Sequence, residues 1–307
     1  MGAMMATDHN SAPAPDWIDA AGIRTRVMQQ GAGIPVVFLH GGYAGDPVEI
    51  QSSAIWAPVF ERMAGQARLV AIDRLGQGFT DNPSDPDGYT IDAIVDHVLA
   101  TLSALDIDSC HIVGHDEGAF VGAQIAALHP DRVRSLTLVT ANALTPGSDR
   151  RSIVHAHPPQ PLRSRQSLRW IYETSCRSHL AVDEAWLDEA VAIGSDPKTA
   201  EAVNAMREND RYLRRYVKSW TATRSAIHRL MDSEGLPCPT LVVWGLDDPI
   251  APISNAEYLM ELLTPRQRDT ELRIFNCAGY YPFREHPAAF SRAVLSFVRD
   301  HDREGNT

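Results

Sequence analysis

The segment from His111 to Pro130, HIVGHDEGAFVGAQIAALHP, constrains the fold more than any other stretch of this 307-residue chain. A short apolar run ends in Gly114-His115-Asp116-Glu117-Gly118 and passes at once into an apolar, alanine-rich stretch with helical spacing. Glycines on both sides of the central residue permit a sharp strand-to-helix corner, which needs small neighbours and lifts one side chain above the sheet. That side chain is Asp116. The start of the following helix, with the amide of Glu117, favours negative charge at the same point.

The surrounding pattern extends the corner into a layered α/β fold. Short apolar runs at Pro35 to His40, Arg68 to Asp73, His111 to His115 and Ser135 to Ala141 read as buried strands. Segments with helical periodicity, Ala54 to Ala64, Ile91 to Leu105 and Glu117 to Leu128, separate them. That alternation predicts a mostly parallel sheet flanked by helices. From about Thr145 the chain turns rich in proline, arginine and histidine, and then reads as helical to about Gly235. Strand signals return at Thr240 to Gly245 and Glu271 to Asn276, with helices from about Ser254 and from Pro287 to Asp300. The expected organisation is a core of residues 16–144 and 236–302 with an inserted helical cap of residues 145–235. Residues 1–15 are expected to be flexible, their opening being read as a cloning remnant before a start at Met4 or Met5.

Composition narrows the partners. Hydrophobic residues make up 44% of the chain and charged residues 22%, and no stretch reaches the ~20 apolar residues of a membrane helix. The net charge of -11 repels phosphate backbones and anionic lipid, so neither nucleic acid nor membrane is the expected partner. A small-molecule substrate is expected, for a monomer or homodimer. The four cysteines, Cys110, Cys176, Cys238 and Cys277, lack zinc-site spacing and disulfide density, and are expected to be free thiols in a cytoplasmic protein. No metal or organic cofactor is expected.

Four further pieces carry a resemblance to the alpha/beta-hydrolase superfamily that covers nearly the whole chain. His40-Gly41-Gly42 is similar to the family's second oxyanion-hole loop, and Asp73-Arg74-Leu75-Gly76-Gln77-Gly78 to its turn after the next strand. Trp244-Gly245-Leu246-Asp247-Asp248-Pro249 resembles the acid loop. Asn276-Cys277-Ala278-Gly279-Tyr280, followed by Phe283-Arg284-Glu285-His286-Pro287, resembles the histidine loop. The resemblance implies Asp116, Asp248 and Tyr280 as the catalytic set, with Gly42 and Glu117 as oxyanion-hole donors. His40, Tyr43, His115, Tyr172, Tyr212, Tyr216, Trp220 and Tyr281 are the candidate substrate-binding residues. Cap and tail resemble hydrolases that split carbon-carbon bonds in ring-cleavage products. The elbow aspartate is similar to epoxide hydrolases and haloalkane dehalogenases.

Two departures shape the expected chemistry. Tyr280 stands where the family has its catalytic histidine, and with an ordinary pKa of about 10 a phenol is no base for neutral pH. Hydrolysis of an ester formed on Asp116 would therefore lack its water activator. Glu117 and Gly42 also replace the halide-holding groups of dehalogenases, which sets dehalogenation aside. The first expectation is non-hydrolytic or atypical acid/base chemistry on a small, largely apolar metabolite of secondary metabolism: cyclisation, rearrangement, elimination or carbon-carbon bond chemistry. In it, burial and Glu117 raise the pKa of Asp116. The alternatives are a hydrolase of an epoxide or ring-cleavage product using another base, with His155 and His157 in the cap hinge as imidazole sources, and a ligand-binding pseudoenzyme. Blander roles stand beside these: Asp248 as a loop former bonded to Tyr280 or backbone, His115 packed beneath the elbow, and Trp170, Trp186 and Trp220 as cap core.

Overall fold

The computed structural model describes residues 13–302. Eight strands form one sheet in the order β1-β2-β4-β3-β5-β6-β7-β8. They are β1 (Pro15–Ala20), β2 (Ile23–Gln30), β3 (Pro35–Leu39), β4 (Arg68–Ile72), β5 (Cys110–His115), β6 (Val133–Val139), β7 (Thr240–Gly245) and β8 (Thr270–Phe275). From β4 through β8 the neighbours pair in parallel, while β1-β2 and β2-β4 pair antiparallel.

Strands β3 to β7 bury both faces, while the edge strands β1 and β8 are largely exposed, and the two-residue period sorts the side chains. In β3, Val37 and Leu39 join one core cluster while Val36 and Phe38 join the other, and in β7 Val242 and Trp244 part from Leu241 and Val243 in the same way. The first cluster is completed by α2 (Ile91–Ala104), α3 (Glu117–Leu128), α8 (Lys218–Ser233) and α9 (Ser254–Leu263). The second is completed by α1 (Ala57–Met63), α5 (Arg165–Ser175), α6 (Glu184–Ser195) and α11 (Pro287–Asp300). Also present are α4 (Arg151–Val154), α7 (Pro197–Arg207), a π-helical turn at Tyr212–Val217 and α10 (Pro282–Glu285).

Between β6 and β7 the described residues form α4 through α8 and no strand. These helices do not float above the core: Leu168, Ile171 and Trp186 enter one core cluster, and Ile227 and Met231 the other. The two N-terminal strands are the main departure from the sequence reading. Pro15 already belongs to β1, inside the segment expected to be flexible, and residues 1–12 of that segment lie outside the described residues. The β1-β2 hairpin turns at Ala21 and Gly22, both with positive φ, the geometry of a tight two-residue hairpin turn. The turn after β4 is structural. The Asp73 carboxylate is buried and accepts from the amides of Ser53 and Phe79 at 2.6 and 2.9 Å.

All four cysteines are free; Cys277 is exposed and the other three are buried. Among the described residues no helix is long and apolar enough to cross a membrane.

Candidate active site

Strand β5 and helix α3 meet at Asp116, whose φ of 50° and ψ of -113° put a non-glycine residue in a sparsely populated backbone region. The corner persists because its surroundings are fixed on every side. The Asp116 amide donates to the Val139 carbonyl at 3.0 Å, and the Phe120 amide donates to the Asp116 carbonyl at 3.1 Å. A Cβ on Gly118 would stand 2.2 Å from the Leu39 carbonyl oxygen, so only glycine lets α3 lie this close to β3.

The Asp116 carboxylate, 1% exposed, faces a cavity of about 320 Å³. Its Oδ1 accepts from the Ala143 amide at 3.2 Å. Its Oδ2 accepts from the Arg151 guanidinium at 2.6 Å and from the Tyr280 hydroxyl. The same Arg151 nitrogen also donates to the Tyr280 oxygen at 2.6 Å, and the other terminal nitrogen donates to Glu49 Oε2 at 3.3 Å. Glu49 in turn accepts from the Tyr281 hydroxyl at 2.9 Å. The floor of the site is thus one hydrogen-bonded chain, Tyr281-Glu49-Arg151-Asp116, with Tyr280 bridging its last pair.

This arrangement reverses the electrostatics expected from sequence. Burial works to raise the Asp116 carboxyl, but the Arg151 charge, aided by Glu117, His115 and Tyr280, holds it below the usual carboxylate range. Glu117 takes the opposite shift: burial and the neighbouring Asp116 charge push its carboxyl well up. Asp116 is therefore the ionised member of the pair. Burial likewise pushes Tyr280 well up and leaves it a donor, not a base.

Other expected roles are corrected by the same contacts. The Gly42 amide does not stand free as an oxyanion donor, because it donates to Glu117 Oε2 at 2.8 Å. Asp248 makes no hydrogen bond to Tyr280 and takes the backbone alternative of its loop-forming role. Its Oδ1 accepts from the amides of Ile250 and Ala251, both at 2.8 Å, and its buried Oδ2 has no hydrogen-bond partner among the described residues. The longer tyrosine spends its hydroxyl on Asp116 and Arg151 instead. His40 is fully buried and structural, donating to the Gly41 carbonyl at 2.8 Å and accepting from the Arg74 amide at 3.2 Å. His115 packs edge-on against Tyr280 and donates to its carbonyl at 2.9 Å, and burial lowers its imidazole to about 4. Tyr172 stacks on Trp186 with ring centres 4.0 Å apart and donates to the Ile50 carbonyl, away from the cavity. Tyr281 is buried on Glu49. The hinge histidine His155 engages Ser175 Oγ at 3.0 Å, and no histidine among the described residues bonds to Asp116.

Tyr43, Tyr212, Tyr216 and Trp220 do line the cavity, from the loop after β3, the π-helical turn and α8. Arg151 forms a wall shared with a second, outer hollow of about 440 Å³ that includes Asp46, Glu49 and His155. Neither Arg151 nor Glu49 stands out in the sequence. The arginine-rich hinge after Thr145 is the available signal for the first, overshadowed there by its two histidines.

The Tyr216 hydroxyl is buried and has no partner among the described residues. Such a group costs about 1–3 kcal/mol until something bonds it. Tyr216→Phe is accordingly expected to raise stability by about 1 kcal/mol while weakening ligand binding several-fold. Thermal denaturation paired with ligand titration reads both, and an unchanged affinity would remove Tyr216 from the site.

The model of the alpha/beta hydrolase fold family matches residues 34–287. The 2-hydroxymuconate semialdehyde hydrolase of Pseudomonas sp. (strain CF600) is 29% identical over 299 residues, covering 97% of this chain and 98% of its own. A haloalkane dehalogenase of Agrobacterium fabrum is 35% identical, but over only 39% of this chain and 36% of its own. Among solved structures, a meta-cleavage product hydrolase from Pseudomonas fluorescens IP01 superposes with a TM-score of 0.74 at 24% identity, covering 93% of this chain and 97% of the other.

Proposed function

This chain belongs to the alpha/beta hydrolase fold family, and from that premise we propose an enzyme that moves protons on a small, enolic oxo acid without forming a covalent intermediate. The observation that carries the reading is an ionised Asp116 at the cavity floor, pinned by Arg151 and Tyr280, with no histidine among the described residues bonded to it. An ester formed on that carboxylate would have no water activator to release it. A base that borrows and returns a proton needs none.

Arg151 supports the substrate class. Its planar fork suits a carboxylate or enolate, and it faces the cavity beside the base. In the free protein the guanidinium keeps Asp116 a weak base. An anionic ligand that draws Arg151 to itself removes that counter-charge, and the Asp116 carboxyl rises toward useful basicity. Binding thus switches the base on. Asp116 takes the enol hydroxyl proton, Tyr280 donates to the developing oxyanion, and a proton returned to carbon completes an enol-to-keto shift.

A second reading is supported by the relative named as a 2-hydroxymuconate semialdehyde hydrolase. In it Asp116 takes its proton from water, which adds to a ketone or aldehyde carbon and splits the adjacent carbon-carbon bond. One experiment separates the two. The chain is incubated with 2-hydroxymuconate semialdehyde, in deuterated water and in oxygen-18 water, and products are resolved by mass. Proton movement yields an intact carbon skeleton bearing solvent deuterium on carbon. Carbon-carbon hydrolysis yields two fragments with label in the released acid, and would overturn the first reading. Failure to consume this compound or a panel of other enolic oxo acids faster than buffer would overturn both.

A further inference from the structure

In the free protein the place where an oxyanion would meet the Gly42 amide is already filled. Glu117 Oε2 accepts from that amide at 2.8 Å, and its carboxyl lines the same cavity as Asp116. Two adjacent carboxyls therefore face one ligand space, one fastened by a guanidinium and a phenol, the other by a backbone amide. The groups around Glu117 come from every side: Asp116 from the elbow, Arg74 from the loop after β4, and Arg151 from α4. Tyr43, Tyr212, Tyr216 and Tyr280 complete the ring. Their balance puts the negative charge on Asp116 and the proton on Glu117.

We propose that Glu117 is a second catalytic residue, a carboxylic acid that gives a proton to the ligand while Asp116 withdraws one. The proposal rests on the acid-base reading above and assigns its missing half, the source of the proton that ends on carbon. The balance is closed. The enol O–H bond breaks and its proton goes to Asp116, the electron pair moves through the conjugated chain, and the Glu117 O–H bond breaks as a C–H bond forms. Asp116 now holds a proton and Glu117 a charge. One transfer between the adjacent carboxyls restores the resting pair, with no net gain or loss of water or protons. Paired carboxyls held in opposite protonation states suit such a division of labour.

The test is Glu117→Gln in the full chain, with 2-hydroxymuconate semialdehyde as probe. Glutamine keeps an oxygen for the Gly42 amide but has no acidic proton. Formation of the keto isomer is expected to fall by roughly 10²-fold or more, while the dienolate, made by Asp116 alone, accumulates as a visible intermediate. The wild-type rate is expected to fall on an alkaline limb that the variant lacks. Stability supplies an independent readout. A carboxyl raised in the folded state contributes stability at low pH that is lost as pH rises toward its folded value. Glu117→Gln is therefore expected to gain melting temperature relative to wild type as pH increases from about 5 to about 8. A variant that turns over within twofold of wild type, without dienolate accumulation, overturns the role of Glu117 and leaves the acid-base reading standing. A wild-type chain that fragments the probe with oxygen-18 uptake, or leaves it untouched, overturns both together.

Discussion

Replacing Arg151 with methionine is expected to cost the folded protein about 3–5 kcal/mol, the range found when one partner of a buried ion pair is removed. The guanidinium side chain is 20% exposed, while its partners Asp116 and Glu49 are 2% and 3% exposed. Without it two carboxylates stand in the same low-dielectric space, and both must protonate or draw in water. The Asp116 carboxyl, now held down by Arg151, is expected to shift upward in the variant. Removing the second charge should recover part of the loss, so the pair Arg151→Met with Asp116→Asn is expected to be less destabilised than the sum of the single changes. Urea denaturation of the four proteins closes the cycle. A single-variant loss under about 1 kcal/mol, the value of an exposed ion pair, would show that the bridge is solvated and cannot hold the base in check.

Asp116→Asn is expected to lower turnover by roughly 10²- to 10⁴-fold, the usual contribution of a positioned general base. The amide is nearly isosteric, and its oxygen can still accept from Arg151 or the Ala143 amide, so the elbow should survive. Binding should move the other way. With its strongest competitor neutralised, Arg151 is freer to engage an anionic ligand, and the dissociation constant for the probe is expected to fall. Slower chemistry with tighter binding is the signature of an arginine that passes from enzyme carboxylate to substrate. Loss of turnover with weaker binding would instead mark Asp116 as a ligand-holding group.

How much of this is readable from residues depends on the range of each contact. The strands β3 to β7 announce themselves because buried parallel strands are nearly continuous apolar runs, and the elbow does so because glycines at 114 and 118 are demanded locally. The first hairpin hides its register behind Asp, Arg and Gln side chains at the sheet edge. In the site, the position of Asp116 follows from a corner only a few residues long. Its protonation state does not, since it is set by Arg151 and Tyr280, 35 and 164 residues away along the chain. The tyrosines make the same point. Tyr172 and Tyr216 both lie in the region between β6 and β7, yet one is locked on Trp186 and a carbonyl while the other lines the cavity with a buried hydroxyl that has no partner among the described residues. Helix orientation decides between them.

Two backbone amides hold one oxygen of Asp248 within its own bend, and the neighbouring Asp247 amide ties that bend to the Ala278 carbonyl of the loop that carries Tyr280. The bonds that join the two loops are made by the backbone and not by the side chain at position 280. The second oxygen of Asp248, buried and without a partner among the described residues, is a spare acceptor at this join.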